Sequence, residues 1–108
     1  DRLAMLENAQ YSVISPRGFA SILWKDATRE KEAANVMKIT AEDLVELGIA
    51  EDVIEEPVGG AQKDPQWTAG KIREYLTEHL EILRQVPKEE LLQKRYEKFR
   101  KVGVFEEA

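Results

Sequence analysis

The chain has 108 residues, 34% of them charged, no cysteine, and a formal net charge of −5. Its size predicts one small domain, and the lack of cysteine removes disulfides, cysteine-based zinc sites and thiol nucleophiles. An acidic chain without an extended basic stripe is a poor match for duplex nucleic acid, and its longest charge-free apolar run, Gly18 to Trp24, falls far short of the ~18 residues a membrane-spanning helix needs.

Asp1-Arg2-Leu3 carries no basic region followed by a long apolar stretch, so no secretory leader is expected. With no initiating methionine, a truncated or processed chain is the expectation, and the absence of cysteine fits a cytoplasmic address. Leu3-Ala4-Met5-Leu6 is a short apolar run, and Tyr11-Ser12-Val13-Ile14, stopped by Ser15-Pro16, is rich in β-branched and aromatic residues. Both are predicted as short buried strands. Two such segments do not make a stable sheet, so they should pack on helices or complete a larger sheet encoded upstream. Pro16 suits the first turn of a helix, and Gly18 to Trp24 is predicted as a short, largely buried helix ending near Lys25. Asp26 or Thr28 can cap a second helix, with Ala33, Ala34 and Met37 at helical spacing.

Thr40-Ala41-Glu42-Asp43 has the form of a capping box. Leu44 and Leu47 should then share a face, and Gly48 supplies a left-handed stop. Ile49, Val53 and Ile54 predict a short strand or extended segment, closed by Glu55-Glu56-Pro57. Thr28 to Pro57 holds three basic and nine acidic residues, so this middle third carries the charge imbalance. Val58-Gly59-Gly60-Ala61 is a loop that lacks the third glycine and the Lys-Ser/Thr pair of phosphate-binding fingerprints.

Asp64-Pro65 is a cap followed by proline at the first helical position, and a long helix is predicted from there to about Val86. Ile72, Leu76, Leu80 and Leu83, with Tyr75 alongside, make its apolar stripe. Pro87 separates it from a last helix bearing Leu91, Leu92, Tyr96, Phe99 and Val102, and the two are expected to form a hairpin. Lys94, Arg95, Lys98, Arg100 and Lys101 form the one basic cluster; with Glu90 and Glu97 at helical pairing distance, it is expected to be a solvated face.

No active site stands out by residue chemistry. His79, the only histidine, is a potential general base, but no nucleophile or metal-ligand set is placed with it by spacing, which favours a structural or surface role. The pairs Glu42-Asp43, Glu51-Asp52 and Glu55-Glu56 read as caps and solvated faces before an acid/base dyad, because adjacent helical residues point in different directions. Trp24 and Trp67 read as core or interface residues before ligand platforms.

The order of segments is more specific than any single residue. Met5-Leu6-Glu7-Asn8-Ala9, Tyr11-Ser12-Val13-Ile14-Ser15-Pro16 and Ala20-Ser21-Ile22-Leu23-Trp24-Lys25-Asp26 resemble the C-terminal part of the carboxyltransferase α subunits of bacterial acetyl-CoA carboxylase. Lys38-Ile39-Thr40-Ala41-Glu42-Asp43-Leu44, Glu46-Leu47-Gly48-Ile49, Glu56-Pro57 with Gly59-Gly60-Ala61, Asp64-Pro65 and Gln93-Lys94-Arg95-Tyr96-Glu97-Lys98-Phe99 extend the resemblance over essentially the whole chain. Arg17 stands where that family usually has Glu, and Gln62 where it usually has His.

The resemblance implies an α/β fold: a C-terminal, mainly helical fragment of a crotonase-like ββα superhelix, with residues 1–57 ending the core and residues 58–108 forming the helical hairpin. It implies transfer of a carboxyl group from carboxybiotin, held on a separate biotin carboxyl carrier protein, to acetyl-CoA, giving malonyl-CoA for fatty-acid synthesis. Backbone N–H donors would stabilise the developing negative charge on both reactants. The implied assembly is of α2β2 type, with a β subunit supplying the CoA side and no metal in this chain. The glycine-rich donor segment is expected upstream of Asp1, so the chain alone is expected to be inactive. What it would contribute is a wall of the biotin pocket, with Tyr11, Ser12, Ser15 and Gly18 as candidate lining residues, although Ser15-Pro16 can equally be a simple strand-to-helix turn. Two alternatives remain at the level of sequence: another crotonase-like acyl-CoA enzyme, and a non-catalytic helical interaction module.

Overall fold

The computed structural model describes residues 1–103. Ala4–Leu6 forms strand β1, and four helices follow its loop: α1 (Pro16–Trp24), α2 (Glu30–Met37, entered through a 3-10 turn at Ala27–Arg29), α3 (Ala41–Glu46), and, after strand β2 (Asp52–Ile54) and a second 3-10 turn at Ala61–Lys63, α4 (Pro65–Arg84). A fifth helix, α5, spans Lys88–Arg100. The chain is mixed α/β and mainly helical, as expected.

The first strand is not an orphan. β1 pairs in parallel with β2, in register Ala4↔Asp52, Met5↔Val53 and Leu6↔Ile54, and α1, α2 and α3 make up the crossover that parallel neighbours require. Side chains alternate across this ribbon. Met5 and Val53 face α3, where Met5, Ala41, Leu44 and Ala50 form the core with Leu3, Ala9, Val45 and Ile49 packed against it. Asp52 faces the other way and bonds to Tyr75 of α4.

Tyr11 to Ile14, by contrast, is not a strand. Its approach makes one antiparallel bridge, Gln10 to Thr40, and one bond from the Tyr11 N–H to the Ile39 carbonyl at 3.0 Å. The neighbour cannot continue a ladder, because Lys38 on one side is left-handed at φ 56° and Ala41 on the other is already helical. Tyr11 is therefore exposed and Val13 fully so. The buried second strand expected from its β-branched residues is corrected accordingly.

Local chemistry explains the helix boundaries. Ser15 caps α1 with its hydroxyl accepting the Gly18 N–H, Pro16 occupies the first helical turn, and Lys25 closes the helix in a left-handed conformation. Asp26 caps the 3-10 turn through the Thr28 N–H. Thr40 caps α3 through the Asp43 N–H at 3.2 Å, and Gly48, at φ 76°, stops it as predicted. Asp64 caps α4 through Trp67 N–H at 3.1 Å, and the buried Thr68 donates to the Asp64 carbonyl at 3.0 Å.

Packing departs from expectation in three places. α1 buries only Ala20 and leaves Ile22 and Leu23 exposed, so it is not largely buried. Leu47 lies at the end of α3 and is exposed, while Leu44 alone enters the core. The α4 and α5 helices turn at Gln85–Pro87 but do not lie along one another, so the hairpin is open, and α5 buries none of its residues. The radius of gyration is 17.3 Å and the extents are 50 × 45 × 17 Å, against about 13 Å for a compact chain of this length. The molecule is a thin plate with apolar side chains on its faces.

Candidate functional site

The segment Tyr11 to Gly18 is built by the start of α1. Ser15 Oγ accepts from the Gly18 N–H at 3.0 Å, which leaves the Ser15 hydroxyl proton available to an outside acceptor. Ser12 donates to the Ile14 carbonyl at 3.1 Å, which holds the bend ahead of the cap. Gly18 is close-packed: a Cβ there would meet Ile14 Cγ1 at 2.9 Å and Ser15 Oγ at 3.2 Å. Ser12, Ser15 and Gly18 thus share one local network. Tyr11 sits outside it, tied only by its backbone to Ile39. Beside Ser15 and Pro16 lies an open depression of about 310 Å³ reached by Arg17 and by Lys31 of α2. Arg17 therefore places a cation next to the candidate segment.

A second constellation was not legible in sequence spacing. Arg2, Asp52 and Tyr75, contributed by the chain start, β2 and α4, form one cluster: Arg2 pairs with Asp52, Tyr75 donates to Asp52 at 2.7 Å, and Arg2 Nε donates to the Tyr75 hydroxyl oxygen at 3.3 Å. The Arg2 and then the Tyr75 hydrogen bond hold the Asp52 carboxyl below the usual carboxylate range. Burial, followed by the neighbouring carboxylate, pushes the Tyr75 hydroxyl up, against the pull of Arg2. His79 packs on Tyr75 with ring centroids 4.2 Å apart and the ring planes tilted by 42°, and its Nδ1 is buried without a hydrogen-bond partner among the described residues. The Tyr75 to His79 spacing of one helical turn was the only sequence signal for this cluster; Arg2 and Asp52 come to it through the parallel pairing.

Carboxylates also tie the loops. Glu51 accepts from the Leu3 N–H and pairs with Lys98 of α5; burial alone would raise its pKa, but the bonds from Lys98 and the Leu3 N–H outweigh it and leave the carboxyl below its ordinary value. Glu56 accepts the Asn8 N–H and, at 2.9 Å, the Ala61 N–H, so Glu56-Pro57 and Gly59-Gly60-Ala61 form one clamped turn, with Gly59 and Gly60 at φ 93° and 104°. Gln62 sits in that turn and donates to the Gly59 carbonyl at 3.1 Å. The other paired carboxylates bring no dyad together. Among the described residues no cluster of three or more His, Asp or Glu is arranged to hold a metal, and no helix is long and apolar enough to cross a membrane.

Among the described residues, the parallel two-stranded ribbon, its helical crossover and the C-terminal helix pair bring no complete catalytic constellation together, and comparison with known proteins supplies the family. A family model described as acetyl co-enzyme A carboxylase carboxyltransferase-like matches residues 1–103. It is 53% identical over 106 residues to the acetyl-coenzyme A carboxylase carboxyl transferase subunit alpha of Clostridium botulinum, a match covering 98% of this chain and 39% of that protein. The subunit of the same name from Clostridium acetobutylicum is 55% identical over 105 residues, covering 97% and 38%, and that from Protochlamydia amoebophila 52% over 105 residues, covering 97% and 33%. The chain belongs to the acetyl co-enzyme A carboxylase carboxyltransferase-like family. It spans well under half the length of these relatives.

Proposed function

We propose that the chain is a working part of the α subunit of an acetyl-CoA carboxylase carboxyltransferase, acting in the cytoplasm on the carboxyl-transfer step that forms malonyl-CoA for fatty-acid synthesis. The observation that carries this is the family match across residues 1–103, with about half of all positions identical to named α subunits. Residues 1–57 would close a crotonase-like core, and the segment from residue 58 onward, whose last five residues lie outside the described ones, would form the helical extension. Partners would be a β subunit in an α2β2-type assembly and a biotin carboxyl carrier protein. Carboxybiotin on that carrier supplies the carboxyl group.

The candidate wall suits a ureido group in one respect. The Ser15 hydroxyl, already fixed by accepting from Gly18 N–H, keeps one donor for a carbonyl or ureido oxygen, and the glycine lets backbone and cap approach closely. Ser12 and Tyr11 would buttress the same wall. The test uses a longer α subunit containing these residues, paired with its β subunit and supplied with acetyl-CoA and a carboxylated carrier. Malonyl-CoA formation is expected; its absence in the reconstituted pair would overturn the assignment. Ser15→Ala should lose about 1 kcal/mol of stability with the cap, whereas Ser15→Asn keeps the cap. A pocket role predicts slowed transfer in both and in Gly18→Ala, while wild-type rates in Ser15→Asn would reduce Ser15 to a turn residue.

A further inference from the structure

Helix α5 is 13 residues long and buries none of them. Leu91 is its one apolar side chain that is even half-buried, where it lines an open groove with Leu83 and Val86 at the elbow; Leu92, Tyr96 and Phe99 are half or more exposed. Among the described residues no hydrogen bond or ion pair joins α4 to α5; the pairs that each helix makes near the elbow are with itself. The elbow is backbone alone: the Gln85 and Val86 N–H groups close the last turn of α4 on the Ile82 and Leu83 carbonyls at 3.2 and 3.1 Å, and Pro87 starts α5 with no side-chain cap. A few residues at an element's end, free of side-chain ties, are where a change of angle between helices is absorbed.

What fixes α5 comes from far away in the sequence. Arg95 donates through Nε and Nη2 to the two carboxylate oxygens of Asp1, at 2.9 and 2.7 Å, and Lys98 pairs with Glu51, the residue ahead of β2. Arg95 and Lys98 share a helix face, three residues apart. The forked Arg95 pair fixes a direction as well as a distance, and Glu51 is itself anchored by the Leu3 N–H. The four side chains remain 20% to 45% exposed, so added salt weakens their attraction, whereas screening acts on charges and leaves apolar contact in place.

We propose that α5 is an arm hinged at Gln85–Pro87 and strapped to the body of the molecule by the Arg95–Asp1 and Lys98–Glu51 pairs, so that screening of those pairs releases it as an intact helix and uncovers Leu83, Val86 and Leu91. Docked and released arms are two populations whose ratio the two pairs set. The device rests on neither the carboxyl-transfer assignment nor the Tyr11 to Gly18 segment.

The chain has no cysteine, so spin labels introduced through Glu46→Cys on α3 and Gln93→Cys on α5, both exposed positions, report the distance between body and arm by pulsed electron resonance, with unlabelled chain added to suppress signals between copies. One narrow distribution is expected near 0.01 M salt, and a second, displaced one, at least about threefold more populated, near 1 M salt, where the screening length has fallen from ~30 to ~3 Å. Arg95→Gln with Lys98→Gln should show the displaced distances already at low salt, with no further response to salt and at unchanged helical content by circular dichroism. Lys94→Gln, which removes a cation whose partner Glu90 lies on α5 itself, should leave the low-salt distribution as it is. The same distribution at both salt concentrations, or in the doubly substituted chain at low salt, would overturn the proposal, as would an equal displacement in Lys94→Gln.

Discussion

At the scale of single residues, the side chains that organise this molecule are mostly carboxylates that answer backbone amides or cations. Asp52 makes the clearest case, because one carboxylate joins β2 to both Arg2 and Tyr75. Its folded pKa is depressed, chiefly by Arg2, so its contribution to stability is complete above the ordinary carboxylate value near 4 and is lost as pH falls through the lower folded value. With about a third of each partner's side chain exposed, that contribution should be no more than about 1 kcal/mol. Asp52→Asn should therefore lower the melting temperature at neutral pH, and the gap to wild type should shrink as pH drops below 4. A gap that stays constant down to pH 3 would mean the carboxylate charge is irrelevant there. Asp64 and Thr40, whose capping roles were plain in the sequence, behave as their residue types dictate, and Ser15, read there as a turn or pocket residue, caps α1 in the same way, since an N-cap acts on amides two or three residues away and needs no tertiary context.

At the scale of elements, the parallel pairing of β1 with β2 holds the fold together, yet each strand has three residues. Such a ribbon is stable only when a face is covered, and α3 covers one with a very small core. Leu44 is its largest deeply buried side chain, 3% exposed. Leu44→Ala should cost about 2–5 kcal/mol, a large share of the stability of any small domain, and urea unfolding followed by circular dichroism should show a midpoint near zero denaturant. A loss under 1 kcal/mol would show that the ribbon does not depend on α3. Element types were legible where the signal was local: caps, prolines and apolar periodicity placed α1, α3 and α4 within a few residues. Tyr11 to Ile14 failed for a physical reason. Its β-branched composition states a preference for a pleated surface, but a strand needs an extended neighbour, and Lys38 to Ala41 provides a single bridging position.

At the scale of the whole molecule, the plate-like shape and the open angle of α4 and α5 leave Leu76, Leu80, Leu92, Tyr96 and Phe99 half or more exposed. Scattered apolar residues on a surface are ordinary, but stripes at helical spacing on two helices are a contact surface awaiting cover. The isolated chain should self-associate with rising concentration in sedimentation velocity, and Leu80→Lys with Phe99→Lys should suppress this at unchanged helical content. A wild-type chain that remains monomeric at high concentration would refute that view of the surface. The same faces fit a chain that spans 33% to 39% of the length of its relatives, where further polypeptide and a partner subunit are proposed to lie.

By itself, the sequence determined the family, the helix starts and stops, the loop at Gly59-Gly60 and the acidic character of the middle third, because these depend on residue order, short-range hydrogen bonding and charge. Only the tertiary structure decided which strands pair, that α4 and α5 diverge, and that Arg2, Asp52 and Tyr75 meet with His79 packed on the Tyr75 ring. Those contacts join residues dozens of positions apart, and their geometry follows from how α3 and α4 settle on opposite faces of a two-stranded ribbon, which no local pattern encodes.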